Sequence, residues 1–201
     1  MCKHDWDARG RGGRVIGGDA LLLRPWRAAD AAELVLVQRG DAALRRWTGA
    51  AVDDEAAALA WIAGQARGWE TGDRLGFAVV AAGSPPPSDS PDGEGELLGH
   101  IALRNVLSGD GRAEVGYWTA ARARGRGVAP RALTALTGWA FGRGLTRLEL
   151  LHQMDNTASC RVALKCGYER SGVVSAAPPE FPLDGCLHAR LRDGQGRMAS
   201  T

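Results

Sequence analysis

Short apolar runs alternate along the chain with stretches whose apolar residues return every three or four positions, a pattern that predicts strands interleaved with helices. Leu75 to Val80, Leu97 to Leu103, Ala113 to Trp118, Arg147 to Leu151, Tyr168 to Val174 and Cys186 to Leu191 read as strands. Helical spacing occurs in Ala56, Leu59, Ala60, Ile62 and Ala63, and again in Leu133, Leu136 and Ala140. Asp53-Asp54-Glu55 precedes the first of these sets, and acidic residues there oppose the positive end of a helix dipole, which marks a helix start. An earlier helix follows the first strand, so a helix pair is expected from about Ala28 to Arg67. Asn156 stands as the N-cap of a short helix ending before Gly167.

This alternation favours one α/β layered domain, with a mixed sheet and helices on both faces. Residues 1–18 lack hydrophobic periodicity and are expected to be a flexible N-terminal tail, with the domain over 20–193 and a C-terminal tail over 194–201. The segment Gly83 to Gly95, rich in Pro, Ser, Gly and Asp, is expected to be a flexible hairpin loop within the domain.

Composition narrows the function classes. With 201 residues, 45% hydrophobic and 24% charged, the chain suits one core and offers no membrane span. No apolar run of secretory length precedes Leu21, so a cytoplasmic location is expected. The net charge of +2 gives no whole-chain argument for nucleic-acid binding, and no nucleic-acid or membrane partner is expected. The four cysteines include no Cys-x-x-Cys pair, and Cys160 and Cys166 lie on different faces of a helix. Reduced packing cysteines and no metal are the expectation.

The segment from Arg122 to Leu133 carries the candidate chemistry. It places an arginine-lined glycine turn between the strand ending near Trp118 and the helix carrying Leu133. Free amides of a first helical turn, with those of Gly125, Arg126, Gly127, Val128 and Ala129, can converge on a phosphate group. Pro130 is tolerated there because a first-turn amide has no intrahelical partner. Arg122, Arg124, Arg126 and Arg131 add local positive charge. Such a turn also caps helices with nothing bound. No Gly-Lys-Ser/Thr follows, as a Walker loop requires, and Pro130 stands where a dinucleotide fingerprint needs Gly or Ala. A pyrophosphate site of another kind remains.

Arg124-x-x-Gly127-x-Ala129 resembles the acyl-coenzyme A loop of the GNAT N-acetyltransferases. Asp155-Asn156-Thr157-Ala158-Ser159 and Lys165-Cys166-Gly167-Tyr168 resemble the family's Asn-x-x-Ser and Lys-x-Gly-Phe/Tyr segments. Leu22-Leu23-Arg24-Pro25-Trp26, with Asp30 and Leu34, resembles the opening of the ribosomal-protein N-terminal (Rim-type) subgroup. The resemblance implies a single GNAT-like α/β domain, whose central, mostly antiparallel sheet has splayed central strands. It also implies acetyl-CoA as acyl donor, held by the backbone of Val115, Gly116, Tyr117 and Trp118, by the loop from Arg124 to Ala129, and by Asn156. The implied partner is an amine acceptor, a protein N-terminus among the candidates, with the chain a monomer or homodimer.

Amine acetylation needs a neutral nucleophile, a stabilised oxyanion and a proton for the leaving thiolate. Deprotonating a lysine at pH 7 costs about 4.6 kcal/mol and an α-amine about 1.4 kcal/mol, so an α-amine needs less help from a base. Glu114 is the first candidate base, with a strand carboxylate paired to an arginine as its alternative. Glu180, matching an acidic Rim-type position, is the second; it also reads as a solvated loop residue. His152 reads more readily as structural. The family's tyrosine six residues after the Asn is replaced by Val162, which leaves Ser159 as the candidate acid; its alternative is a helix-capping hydroxyl. Two rival readings stay open: a small-molecule amine acetyltransferase and a non-catalytic acyl-CoA-binding regulator.

Overall fold

The computed structural model describes residues 15–16, 21–48, 52–82, 95–106, 109–179 and 182–193. The expected hairpin loop lies outside the described residues except at its last position, as do most of the expected N-terminal tail and all of the C-terminal tail.

Eight strands form one sheet: β1 (Val15–Ile16), β2 (Leu21–Pro25), β3 (Arg74–Ala81), β4 (Leu97–Arg104), β5 (Arg112–Thr119), β6 (Arg147–Gln153), β7 (Glu169–Val174) and β8 (Gly185–Leu191). Their spatial order is β1-β2-β3-β4-β5-β6-β8-β7. Every pairing is antiparallel except β5 with β6. That one parallel pair needs a crossover, supplied by α4 (Val128–Gly142). The mixed, mostly antiparallel α/β architecture is therefore as expected. β1 lies inside the stretch expected as a tail, and two residues are too few to show a period.

Local chemistry explains the helix boundaries. Asp54 caps α3 (Glu55–Thr71) by accepting from Ala57 N at 2.7 Å, and Gly72 ends it with φ 78°. Glycine adopts that left-handed conformation without the Cβ penalty. Before α3 stand two helices, α1 (Ala31–Arg39) and α2 (Ala42–Thr48), in place of the single one expected. The break is at Gly40-Asp41: Asp41 Oδ1 accepts from Leu44 N at 3.1 Å, an N-cap bond that starts a new helix. Asn156 caps α5 (Thr157–Lys165) through Ser159 N at 3.1 Å, as expected.

Consecutive residues of β3 show how the layers stack. Gly76 lies against Gln65 of α3, while Phe77 meets Trp139 of α4 edge-on at 5.4 Å. The two helices therefore cover opposite faces. On the α4 face, Leu133, Leu136 and Ala140 are fully buried with Phe77, Ile101 and Leu103. Each such Leu or Phe contributes about 1.5–3 kcal/mol. On the α3 face, Arg24 clasps Asp30 with two bonds, at 2.8 and 2.7 Å, tying β2 to the start of α1. Among the described residues, no helix is long and apolar enough to cross a membrane.

An aromatic group on the same face encloses a histidine. His100 lies among Trp26, Trp61 and Trp118 at ring distances of 5.2–5.9 Å. His100 Nδ1 lies 3.0 Å from Trp26 Nε1, from which it accepts when bare, and 3.1 Å from Phe77 O, to which it donates when protonated. Burial, reinforced by the charges of Arg104 and Arg74, lowers the His100 pKa to about 3 from 6.5. The unfolded chain thus binds this proton more readily than the folded one, and stability falls as pH drops from 6.5 towards 3. Urea unfolding over that range should show a smaller pH dependence for His100→Gln than for the native chain; equal slopes would contradict a buried neutral imidazole.

Candidate functional site

The site begins where two neighbouring strands part. β5 and β6 pair only at Arg112/Arg147, Ala113/Leu148 and Glu114/Glu149. Beyond that point β5 stays on β4 as far as Thr119, and β6 stays on β8 as far as Gln153. The edge of Val115 to Thr119 that faces β6 therefore has no strand partner, and a wedge opens. Its closed end is pinned at Gly111, whose carbonyl accepts from Thr146 N at 2.8 Å and Arg147 N at 3.2 Å.

At the open end the chain passes through a 3-10 turn (Ala121–Ala123) into the glycine loop. Gly125 and Gly127 have φ of 73° and 72°, and nothing lies within 4 Å of where a Cβ would stand on either. Arg131 N donates to Gly127 O at 3.3 Å, while the amides of Gly125 through Ala129 donate to no backbone carbonyl among the described residues. Five such donors stand at the positive end of a fifteen-residue helix, where negative charge is favoured.

The arginines of this loop act differently from the expectation that all concentrate charge for phosphates. Arg122 is held by Glu33 at 2.6 Å and Glu96 at 2.5 Å, and also donates to Leu97 O. Arg124 pairs with the buried carboxylate of Asp41 and donates to Thr119 O at 3.2 Å. These two side chains brace the turn against α1, α2 and β4. Arg126 is exposed and makes no ion pair among the described residues. Two cations that the loop motif did not point to, Arg161 and Lys165, come from one face of α5.

A groove of about 540 Å³ joins loop and wedge. Of the expected site residues, Tyr117, Trp118, Arg124, Gly125, Gly127, Val128, Ala129, Asn156 and Ser159 line it, with Val162 and Leu44 beside them. Val115 is buried in the core, and Gly116 lies under the Arg104 guanidinium. The Trp118 indole packs with Trp26 and His100 on the α3 face. Glu114 stands at the last paired position of the wedge, on the α3 face, with Arg104 Nη1 at 3.8 Å. Glu180 lies outside the described residues.

One contact lies beyond the sequence reading. Tyr117 Oη and Ser159 Oγ are 3.0 Å apart, joining β5 to α5 across the groove. Burial pushes the Tyr117 pKa up to about 12, so the phenol keeps its proton at neutral pH. The family resemblance implies only a backbone role for Tyr117. Its side chain alternates away from Glu114 and Trp118 to the α5 side, a direction the strand period predicts once α5 is placed.

A third group collects beneath α5. His152 of β6, Cys160 of α5 and His188 of β8 bring donor atoms within 4.8 Å of one another. Cysteine spacing alone argued against a metal, because these residues meet only through the fold.

The sequence matches the model of the acetyltransferase (GNAT) domain over residues 20–169. No curated protein sequence matches it. Among solved structures, a Vibrio cholerae protein whose proposed activity is ribosomal-protein-serine acetylation is 25% identical, covering 89% of this chain and 97% of that one with a TM-score of 0.72. RimL, a ribosomal L7/L12 alpha-N-protein acetyltransferase solved with coenzyme A, is 19% identical over 90% and 98% of the two chains, with a TM-score of 0.78. The microcin C7 self-immunity acetyltransferase MccE, solved with acetyl-CoA and AMP, is 17% identical over 92% and 100%, with a TM-score of 0.75.

Asp41 has two separable roles, capping α2 and holding Arg124. Asp41→Ala should lower stability by about 1 kcal/mol more than Asp41→Asn, which keeps a cap acceptor. Chemical denaturation of the two variants checks this; equal losses would remove the cap from the account.

Proposed function

Because the chain belongs to the GNAT acetyltransferase family, we propose that it moves the acetyl group of acetyl-CoA directly to a primary amine, foremost the N-terminal α-amine of a protein or peptide. The observation that carries this reading is the meeting in one groove of the loop amides from Gly125 to Ala129 with the β5 edge beyond Glu114, which has no strand partner and ends at Thr119, whose carbonyl Arg124 holds. A diphosphate followed by an amide-bearing arm fits that order of donors and acceptors. The open space at the Cβ positions of Gly125 and Gly127 leaves room for close approach.

When bound, acetyl-CoA supplies the acetyl thioester. The β5 edge orients its arm and offers an amide to the carbonyl oxygen as charge develops there. Glu114, at the apex of the wedge and part-exposed, takes the amine proton directly or through water. On the groove side, Ser159 Oγ gives a proton to the leaving sulfur and recovers it from Tyr117 Oη, and the phenolate, whose raised pKa favours the protonated form, takes its proton back from water. In this way a phenol from β5 does the work that the family assigns to a tyrosine at the position of Val162. Asn156 holds the first turn of α5 and so fixes Ser159. Glu180 remains the second candidate base.

Two lines support an α-amine acceptor. It needs about 3 kcal/mol less deprotonation than a lysine at neutral pH, which suits a single part-exposed carboxylate. Ribosomal-protein α-N-acetylation is also the stated activity of RimL. The likeness to MccE favours a second reading, a small-molecule amine acceptor. Mass spectrometry of products from a panel of N-terminal peptides and small amines separates them. Acetylated peptide α-amines are expected, and transfer to small amines alone would overturn the first reading. Tight coenzyme binding with no transfer across the panel would favour a non-catalytic binder.

Glu114→Gln and Ser159→Ala should each lower turnover by about 10²- to 10⁴-fold with little change in coenzyme affinity, and Tyr117→Phe by less. Unchanged turnover in any variant removes that residue from the mechanism. Gly127→Val puts a branched side chain at φ 72° and fills the approach to the loop amides. Coenzyme A affinity measured by calorimetry should fall by roughly tenfold or more, equivalent to about 1.4 kcal/mol; native affinity in a folded variant would contradict their role in binding.

A further inference from the structure

Away from the groove, on the β6–β8 side of α5, the fold gathers two imidazoles and two thiols. His152 and His188 stack with ring centres 5.2 Å apart and an interplanar angle of 25°. The first is 8% exposed and the second fully buried. His152 Nδ1 lies 2.8 Å from Gln153 O, and His188 Nδ1 lies 3.3 Å from Tyr168 O. Each nitrogen donates to its carbonyl when it carries the ring proton, which leaves both Nε2 atoms as bare lone pairs. Carbonyl partners of this kind fix the tautomer of metal-ligating histidines. His188 Nε2 lies 3.4 Å from Cys186 Sγ, whereas His152 Nε2 is buried with no hydrogen-bond partner. A buried, unsatisfied nitrogen needs an explanation.

We propose that His152, Cys160 and His188 bind a single zinc-class ion. The donor set is two imidazole nitrogens and a thiolate, which suits a borderline-soft cation and not magnesium or calcium. Ligands at about 2.0–2.3 Å from a tetrahedral ion sit roughly 3.3–3.8 Å apart, so the present spread of up to 4.8 Å closes by about an ångström on binding. Cys160 is part-exposed and gives the ion its way in. Once bound, the ion ties α5 to β6 and β8. This site stands independently of the acetyl-transfer reading, although α5 also carries Asn156 and Ser159.

The test uses the full chain, reduced and stripped of metal with a chelator. Calorimetric titration should give about one Zn²⁺ per chain and none for Mg²⁺. Co²⁺ should give tetrahedral visible bands and a sulfur-to-metal charge-transfer band. Cys160→Ser, changed at a part-exposed position and checked for folding by circular dichroism, should lose the charge-transfer band and weaken Zn²⁺ binding by more than about 100-fold. A Cys2→Ser/His4→Gln variant should bind as the native chain does. Absence of stoichiometric zinc binding to the native protein overturns the proposal, as does unchanged affinity in Cys160→Ser or loss of binding in the N-terminal variant.

Discussion

The parting of β5 from β6 after three paired residues is the constraint on which the site depends. A continuous ladder would satisfy the backbone of Val115 to Thr119 internally and leave nothing to offer a ligand. The sheet can tolerate the gap because each strand keeps its other neighbour: β4 holds β5, and β8 holds β6 along its whole length. The bonds from Thr146 and Arg147 to Gly111 O fix the closed end, and the Tyr117–Ser159 contact spans the open one. The opening is therefore a defined cleft between two well-supported half-sheets.

Charge is divided by position in the same region. Arg122 and Arg124 spend their guanidinium groups on Glu33, Glu96 and Asp41, so they shape the turn from outside. The main-chain amides, which carry no side-chain entropy, are left facing the groove. Asp41 couples the two jobs: one oxygen starts α2 and the other holds Arg124. Leu44 of α2 lines the groove, so the helix added by that cap is also one wall of it.

Much of this was legible in the sequence, for identifiable reasons. The loop and the Asn156 cap are local features in which glycine positions, N-cap chemistry and an apolar face agree within about a dozen residues. β3 and β4 are marked by dense apolar runs. What escaped was either too short to carry a period or depended on distant partners. The break at Gly40-Asp41 is a single capping bond inside a helical pattern, and β1 is too short for any period. Arg122 meets Glu33 across 89 residues and Arg124 meets Asp41 across 83, beyond any motif. Tyr117 meets Ser159 across 42 residues. His152, Cys160 and His188 come from three elements, and cysteine spacing could not report on histidines brought in by the sheet.

The central claim is that two stretches of main chain, one on the wedge edge and one in the glycine turn, together grip the coenzyme. Hydrogen exchange read by mass spectrometry, with and without coenzyme A, tests it without altering any residue. The account predicts new protection at residues 115–119 and 125–129 at saturating coenzyme. Binding that leaves the amides of both stretches exchanging as before, or protects only other surfaces, would contradict it.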